Sequence, residues 1–150
     1  MQDQPAFTTA DRQRWMAVLA RADLDTLRRL CPALPAHTRL RGPEIGMTML
    51  RGRAGGTGSR FNLGEMTVTR CTIRNSAGLV GHAYIAGRND GLAELAAVLD
   101  AALQDHTLRP TLEATIIAPL EAAQAATRAE KSRRAAATRV DFFTMATMRS

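Results

Sequence analysis

The sequence is poor in aromatic side chains, with one tryptophan, one tyrosine and four phenylalanines among its 150 residues. A core built from large rings is therefore excluded. Hydrophobic residues still make up 45% of the chain, which is too many for a wholly disordered protein. Alanine supplies much of that fraction, with 27 copies by count. Because alanine has the highest helix propensity, the composition predicts a small-side-chained and largely helical core.

Cysteine is also scarce, and Cys31 and Cys71 lie 40 residues apart. Two thiols exclude a disulfide-dense scaffold and cannot build a metal site alone, so we expect no metal in this chain. No apolar run approaches the ~20 residues that span a bilayer, and the first nine residues contain no apolar signal core. The sequence therefore predicts a cytoplasmic protein without a membrane partner.

Lysine occurs once, at Lys131, and the other 19 of the 20 basic residues are arginine. The formal net charge of +6 is unevenly spread. Residues 39–74 carry seven arginines against two glutamates, and residues 128–139 carry five basic residues against Glu130. Arginine binds carboxylate and phosphate in a forked geometry, so an anionic partner is one interpretation of these segments. A solvated basic surface is the other.

Hydrophobic periodicity predicts an α+β fold: N-terminal helices, a small and mainly antiparallel sheet at about 40–86, then C-terminal helices and an extended tail. Capping side chains mark the expected helix starts at Thr8 or Thr9, at Asp23 or Asp25, and at Asp90. A further helix is expected from Arg109-Pro110. We expect residues 1–137 to form a single domain and residues 138–150 to form an apolar tail.

The first expected strand places Ile45, Met47 and Met49 in alternation with smaller residues, which is typical of a half-buried strand. The second, residues 65–74, changes phase: positions 66 and 68 are apolar on one face, then 71 and 73 on the other. This change indicates either a bulge near residues 69–70 or a strand that is buried on both faces. Residues 79–86 are expected to return antiparallel after a turn.

The most unusual segment is residues 51–65, RGRAGGTGSRFNLGE, which contains five glycines and three arginines. In a glycine-rich loop, successive backbone N–H groups can converge on an anion. The segment lacks the Lys-Ser/Thr pair of a Walker A loop, and a strand rather than a helix follows, unlike a dinucleotide fingerprint. A flexible hairpin connection remains the alternative. The candidate residues for phosphate, anion or partner contact are Arg51, Arg53, Gly55, Gly56, Thr57, Gly58, Arg60 and Glu65.

No set of catalytic residues is visible in the sequence. Glu65 is compatible with a general base or a metal ligand, but we expect it to form an ion pair with Arg51, Arg53 or Arg70. His82 has no neighbouring nucleophile or ligand spacing, so the catalytic residues stay unknown. Nucleic-acid binding is disfavoured because the arginine-rich segments lack interleaved aromatic residues.

The last segment, residues 138–145 (TRVDFFTM), places apolar side chains behind a helical stretch of alanine and charge. Terminal apolar clusters either fold back on the core or insert into a partner. We favour a partner, with Phe142, Phe143 and Met145 as the docking residues.

Several blocks of sequence occur in order from about residue 11 to residue 146. They are RQRWM at 12–16 with VLARA at 18–22, RGRAGGTG at 51–58, FNLGEMTVTRC at 61–71, GHAY at 81–84 with GR at 87–88, and TRVDFFTM at 138–145. Together they resemble the PhnG family, the G subunit of the bacterial carbon–phosphorus lyase core complex. The resemblance covers nearly the whole chain.

The resemblance implies an obligatory subunit that works with the H, I and J subunits and with the nucleotide-binding K and L subunits. In that family, G, H, I and L together replace the adenine of ATP by a phosphonate such as methylphosphonate. The product is α-D-ribose 1-methylphosphonate 5-triphosphate. Nucleosidase chemistry belongs to I, and iron–sulfur chemistry to J. The resemblance further implies that this chain alone binds no cofactor, and that ATP with Mg²⁺ is a substrate of the complex. A purely structural subunit is the alternative.

Overall fold

A computed structural model describes residues 7–31, 33, 35–55 and 57–139 of the chain. It confirms the α+β class: in chain order, helices precede and follow one antiparallel sheet. The predicted division at residue 137 stays a prediction, because residues 140–150 lie outside the described part. In chain order, the elements are α1 (Thr9–Ala20), α2 (Leu24–Leu30), β1 (His37–Arg53), β2 (Arg60–Asn75), β3 (Val80–Ala86), α3 (Asp90–Leu103), α4 (Arg109–Leu112), a π-helical turn (Glu113–Ile117) and α5 (Ala118–Ala137).

The sheet has the order β1-β2-β3, and its strands differ greatly in length. The third strand pairs with β2 only from Val68 to Arg74. The remaining parts of β1 and β2, residues 47–53 and 60–67, therefore continue as a two-stranded ribbon, which we call the β1–β2 arm. The glycine-rich loop lies at the tip of this arm.

The core lies between α3 and the three-stranded part of the sheet, with Trp15, Leu27 and Ile117 also fully buried. The helix approaches β3 very closely at Gly81. A Cβ atom on Gly81 would lie 1.9 Å from the carbonyl oxygen of Ala97, so only glycine is compatible with this contact. Alanines at 93, 96, 97 and 101 of α3 are buried. Small side chains bring the helix backbone near the sheet, which accounts for part of the alanine excess.

Asp100 is the one charged side chain that is fully buried in the described part of the chain. Its Oδ1 accepts hydrogen bonds from Trp15 Nε1 at 2.8 Å and from Arg12 Nε at 3.2 Å. Its Oδ2 accepts from Arg12 Nη2 at 2.7 Å and from the backbone N–H of His82 at 2.9 Å. One carboxylate on α3 thus joins α1 to β3. The four hydrogen bonds offset the free-energy cost of burying this carboxylate.

The phase change in β2 reflects burial on both faces, and the alternative of a bulge at residues 69–70 is wrong. Val68 and Thr69 are both buried, and residues 66–70 pair in regular register with both neighbours where those neighbours extend. The irregularities fall elsewhere, at residues 39–44 of β1 and after Leu50. At the first of these, Gly42 has φ +69°, and a Cβ atom there would lie 2.6 Å from the carbonyl oxygen of Arg70.

The expected burial of the first strand is wrong, although the strand itself is present. Ile45, Met47 and Met49 are 49%, 67% and 47% exposed. Ile45 pairs with Thr69, whose side chain is buried, so the three residues continue the core face of the sheet. They are exposed because, in the described residues, no helix extends over this part of β1. Alternation identified which residues share a face, not whether another element covers it.

Most helix ends agree with the sequence. Thr8 caps α1 and forms a capping box with Asp11, and Asp23 caps α2. For α3 the cap is Asn89, not Asp90, since the Asn89 side chain accepts a hydrogen bond from Leu92 N–H. In α5 Leu120 is the only buried residue. Within the described residues, no helix combines the length and the apolarity needed to cross a membrane.

We expect Asp100→Ala to lower the free energy of unfolding by about 3–5 kcal/mol, because Arg12 would keep its charge beside the core without its carboxylate. The indole and the His82 N–H would also lose their acceptor. Urea unfolding of the isolated chain measures the effect. Asp25→Ala is the control, because Asp25 is exposed on α2, and should change stability by less than about 0.5 kcal/mol. Equal urea midpoints for the two variants would contradict the central role of Asp100.

Candidate functional site

The tip of the β1–β2 arm gathers three of the predicted contact residues. Arg53 and Arg60 are direct cross-strand partners, and Arg51 pairs with Asn62. Side chains two positions apart on a strand share a face, as do directly paired residues. Arg51, Arg53 and Arg60 therefore lie on one face at the end of the hairpin, and all three are exposed.

The loop glycines meet the requirements of a tight chain reversal. Gly55 has φ +61°, and a Cβ atom on Gly58 would lie 2.7 Å from the carbonyl oxygen of Ala54. The N–H of Gly58 donates to that same oxygen at 3.1 Å. This donor is therefore used inside the loop and does not face an anion. Thr57 is exposed, and Gly56 lies outside the described residues.

The charge at the tip is uncompensated within the described residues. Arg51, Arg53 and Arg60 have no ion pair there. Like charges directly across a strand pair destabilise it, so the Arg53–Arg60 pair opposes the local fold. Residues that oppose local stability are often kept for a function.

Glu65 does not form the ion pair that we expected. It is exposed, faces Met49 across the strands, and has no ion-pair partner in the described part of the chain. Arg70 instead contacts Glu44, with Nη2 2.6 Å from Oε1, and Arg41 Nε lies 2.7 Å from the same oxygen. The register explains the error, because Arg70 is directly opposite Glu44 and five positions from Glu65.

The arm also carries apolar side chains on its second face. Built onto Gly52, a Cβ atom would be 3.9 Å from both Phe61 and Leu63 side-chain atoms, so these two side chains lie together above Gly52. Phe61 and Leu63 are 45% and 65% exposed, and Leu50, on the same face of β1 as Gly52, is 37% exposed. The arm is thus apolar on both faces and basic at its tip.

The second basic segment is divided between two environments. Arg128 and Lys131 line a cleft of about 380 Å³ between α5 and the α1–α2 turn, together with Arg21. Arg133 and Arg134 instead contact Glu130 on α5. Two of the five basic residues of this segment are therefore paired within one helix, which favours a solvated surface for those two.

The pKa shifts of three aspartates and of both thiols have local structural causes. Hydrogen bonds to Thr8, Thr26 and Thr107 lower the pKa values of Asp11, Asp23 and Asp105, and each is a local cap or turn contact. Burial raises the pKa values of the Cys31 and Cys71 thiols, which disfavours the reactive thiolate. The described residues also contain no group of three or more metal-ligating side chains.

Sequence reasoning missed a cluster that attaches β1 to α3. The Arg39 guanidinium donates to Glu94, with Nε 2.6 Å from Oε1 and Nη2 2.8 Å from Oε2. His37 lies between Glu94 Oε1 at 3.0 Å and the Pro35 carbonyl oxygen at 2.8 Å. The hydrogen bonds from Arg39 hold the pKa of Glu94 at about 2. Both ring nitrogens of His37 face acceptors, Glu94 foremost, which raises its pKa.

Comparison with known proteins identifies the family. The family described as "Phosphonate metabolism protein PhnG" matches residues 10–148. The chain belongs to the PhnG family. A curated relative from Rhizobium meliloti (strain 1021) is named "Alpha-D-ribose 1-methylphosphonate 5-triphosphate synthase subunit PhnG". It is 44% identical over 142 residues, which cover 91% of this chain and 88% of that protein.

These findings confirm the resemblance drawn from the sequence blocks. The contact role of the tip residues stays a prediction, although the structure places the arginines together on one face of the arm. The predicted docking residues Phe142, Phe143 and Met145 lie outside the described residues, so their role also stays a prediction.

The cluster of His37, Arg39 and Glu94 should make the free energy of unfolding depend on pH. Because the pKa of Glu94 falls from 4.5 to about 2 on folding, its contribution is present above about pH 4.5 and is lost as pH falls towards 2. Because the pKa of His37 rises from 6.5, its contribution is present below about pH 6.5 and is lost as pH rises through the raised pKa. Both contributions to stability are therefore present between about pH 4.5 and 6.5.

We therefore expect Glu94→Gln to destabilise the chain most between about pH 4.5 and 6.5, by about 1–3 kcal/mol. The difference should shrink at pH 8 and again below pH 4. Urea midpoints of the two proteins across this range measure it. Glu130→Gln, which removes a partner within α5, should show no such maximum. A pH-independent difference for Glu94→Gln would contradict the assignment.

Proposed function

We propose that this chain is a subunit of an α-D-ribose 1-methylphosphonate 5-triphosphate synthase in phosphonate metabolism. The observation that carries the proposal is its 44% identity to a subunit of that name across 91% of the chain. The PhnG family assignment over residues 10–148 agrees with it.

The reaction in which the chain takes part is the exchange of the adenine of ATP for a phosphonate such as methylphosphonate. We propose the H, I and J subunits as its partners in a core complex, with the nucleotide-binding K and L subunits joining them. The ATP and its Mg²⁺ are then substrates of the whole complex. The chain would supply binding surface and positioning, while the glycosidic bond is broken on another subunit.

The most direct contribution to ligand binding comes from the arginine tip. Three guanidinium groups on one face of a hairpin end match a polyanion, either a triphosphate or a carboxylate-rich protein surface. Binding an anion there would remove the repulsion between Arg53 and Arg60. The structure supports the charged side chains in this role more strongly than the loop backbone, because the Gly58 N–H already bonds to Ala54.

The alternative is a purely structural subunit that contacts no ligand. The turn geometry of Gly55 and Gly58 favours it, since a chain reversal explains both glycines without an anion. In this alternative, the unpaired arginines contact a protein partner instead of a ligand. The two versions differ in whether substrate turnover, or only assembly, depends on the tip.

The role as a subunit is tested by reconstituting the complex with and without this chain. We expect the H, I and J subunits to elute with it as one species in size-exclusion chromatography. Without the chain, adenine release from ATP in the presence of methylphosphonate should fall at least about a hundredfold, because the substrate-binding surface is incomplete. Undiminished adenine release without the chain would contradict the proposed function.

The ligand role of the tip is tested by the double variant Arg51→Ala/Arg53→Ala. We expect assembly to persist while adenine release falls at least about tenfold, in line with the loss of one or two charge-assisted hydrogen bonds. Arg74→Ala/Arg88→Ala is the control, because both arginines are exposed outside the arm and the same charge is removed. Normal turnover in the Arg51/Arg53 variant would leave the structural role as the correct one.

A further inference from the structure

The β1–β2 arm is unsuited to a free existence in water. It is a two-stranded ribbon beyond the edge of β3, and isolated two-stranded hairpins are marginally stable. Its first face exposes Met47 and Met49, and its second face exposes Phe61 and Leu63. Five of the nine large apolar side chains that are exposed in the described residues lie on this short ribbon, with Leu50 as the fifth.

The outer edge of β1 is also open. The strand is 17 residues long and stands at the edge of the sheet, with β2 as its one neighbour in the described residues. Natural proteins usually shorten, charge or cover such edges, because their free N–H and C=O groups pair with other chains. Here the open edge coincides with apolar faces, which indicates that another molecule covers the arm.

The positive charge of the arm determines which kind of partner can cover it. The arm and its loop carry Arg51, Arg53 and Arg60 against one glutamate, so a second copy of this chain would bring a second net charge of +2 to the same surface. The like-charged Arg53–Arg60 pair at the tip adds to the repulsion. An interface between two arms is therefore disfavoured, and a partner with negative charge at the matching position is favoured.

We propose that the β1–β2 arm inserts into an apolar cleft on another subunit of the synthase, with the arginine tip against anionic groups at the closed end. A cleft, rather than a flat patch, is required because both faces of the ribbon are apolar. Insertion covers Met47 and Met49 on one wall and Phe61 and Leu63 on the other. This inference rests on the proposed function, since the partner is another subunit of the same complex.

The proposal is tested with one double variant for each face. Met47→Thr/Met49→Thr removes the apolar side chains of the first face, and Phe61→Thr/Leu63→Thr those of the second, while threonine preserves the preference for strand. Tyr84→Thr is the matched control, because Tyr84 is half exposed on β3, outside the arm. Thermal unfolding of the isolated chains shows whether each variant folds. We expect midpoints equal to or above that of the unmodified chain.

Binding to the co-expressed H, I and J subunits is then measured by surface plasmon resonance. We expect each double variant to bind about thirtyfold more weakly, since truncation of two buried anchor residues commonly has such an effect, and Tyr84→Thr to bind normally. Amide hydrogen exchange supplies a second readout: the arm should exchange rapidly in the free chain and slowly in the complex.

Three outcomes would overturn the insertion. Normal binding by both double variants excludes the arm as an interface, and weakened binding by only one indicates docking on a flat surface. A chain that dimerises alone, and becomes monomeric as Met47→Thr/Met49→Thr, assigns the arm to a second copy. None of these outcomes affects adenine release by the unmodified complex, so failure of the insertion is distinguishable from failure of the proposed function.

Discussion

The fold depends on a single buried carboxylate. Asp100 joins α1 through Arg12 and Trp15 and joins β3 through the His82 backbone, so the positions of three elements are set by one side chain. Such a group is stable only when all its donors are present, because a buried charge without partners is very unfavourable. The requirement makes the arrangement specific. A hydrophobic contact would tolerate sliding of α1 along α3, whereas four directed hydrogen bonds do not.

The contacts of Asp100 also determine which part of the sheet is covered by a helix. The carboxylate and the close contact at Gly81 hold α3 over β3 and the adjacent half of β2. The helix ends at Leu103, and in the described residues no other element continues over the β1–β2 arm. The apolar pattern of β1 nevertheless continues past that limit. The core face of the sheet is therefore covered by α3 near β3, whereas none of the described residues covers it at the arm.

Much of the fold could be predicted from periodicity and caps, because these are local signals. Thr8, Asp23 and the Arg109-Pro110 start lie where expected, and the α+β order is confirmed. The burial of Met47 and Met49 could not be predicted, since alternation reports a shared face and not its cover. Asp100 and Glu94 were missed for another reason. Their side-chain partners are 55 to 88 residues distant in sequence, and charged positions within a helix pattern give no sign of such partners.

The tip of the arm shows how the constraints of folding and of function can be separated within one motif. Gly55 and Gly58 are required by the chain itself, because a positive φ and a 2.7 Å approach to Ala54 exclude a side chain there. Arg53 and Arg60 are the reverse case, since their direct pairing weakens the strands that carry them. A residue that costs local stability needs a reason outside the folded chain. For the arginines, the reason that we propose is an anion supplied by the assembly, which the turn formed by the glycines would allow them to contact.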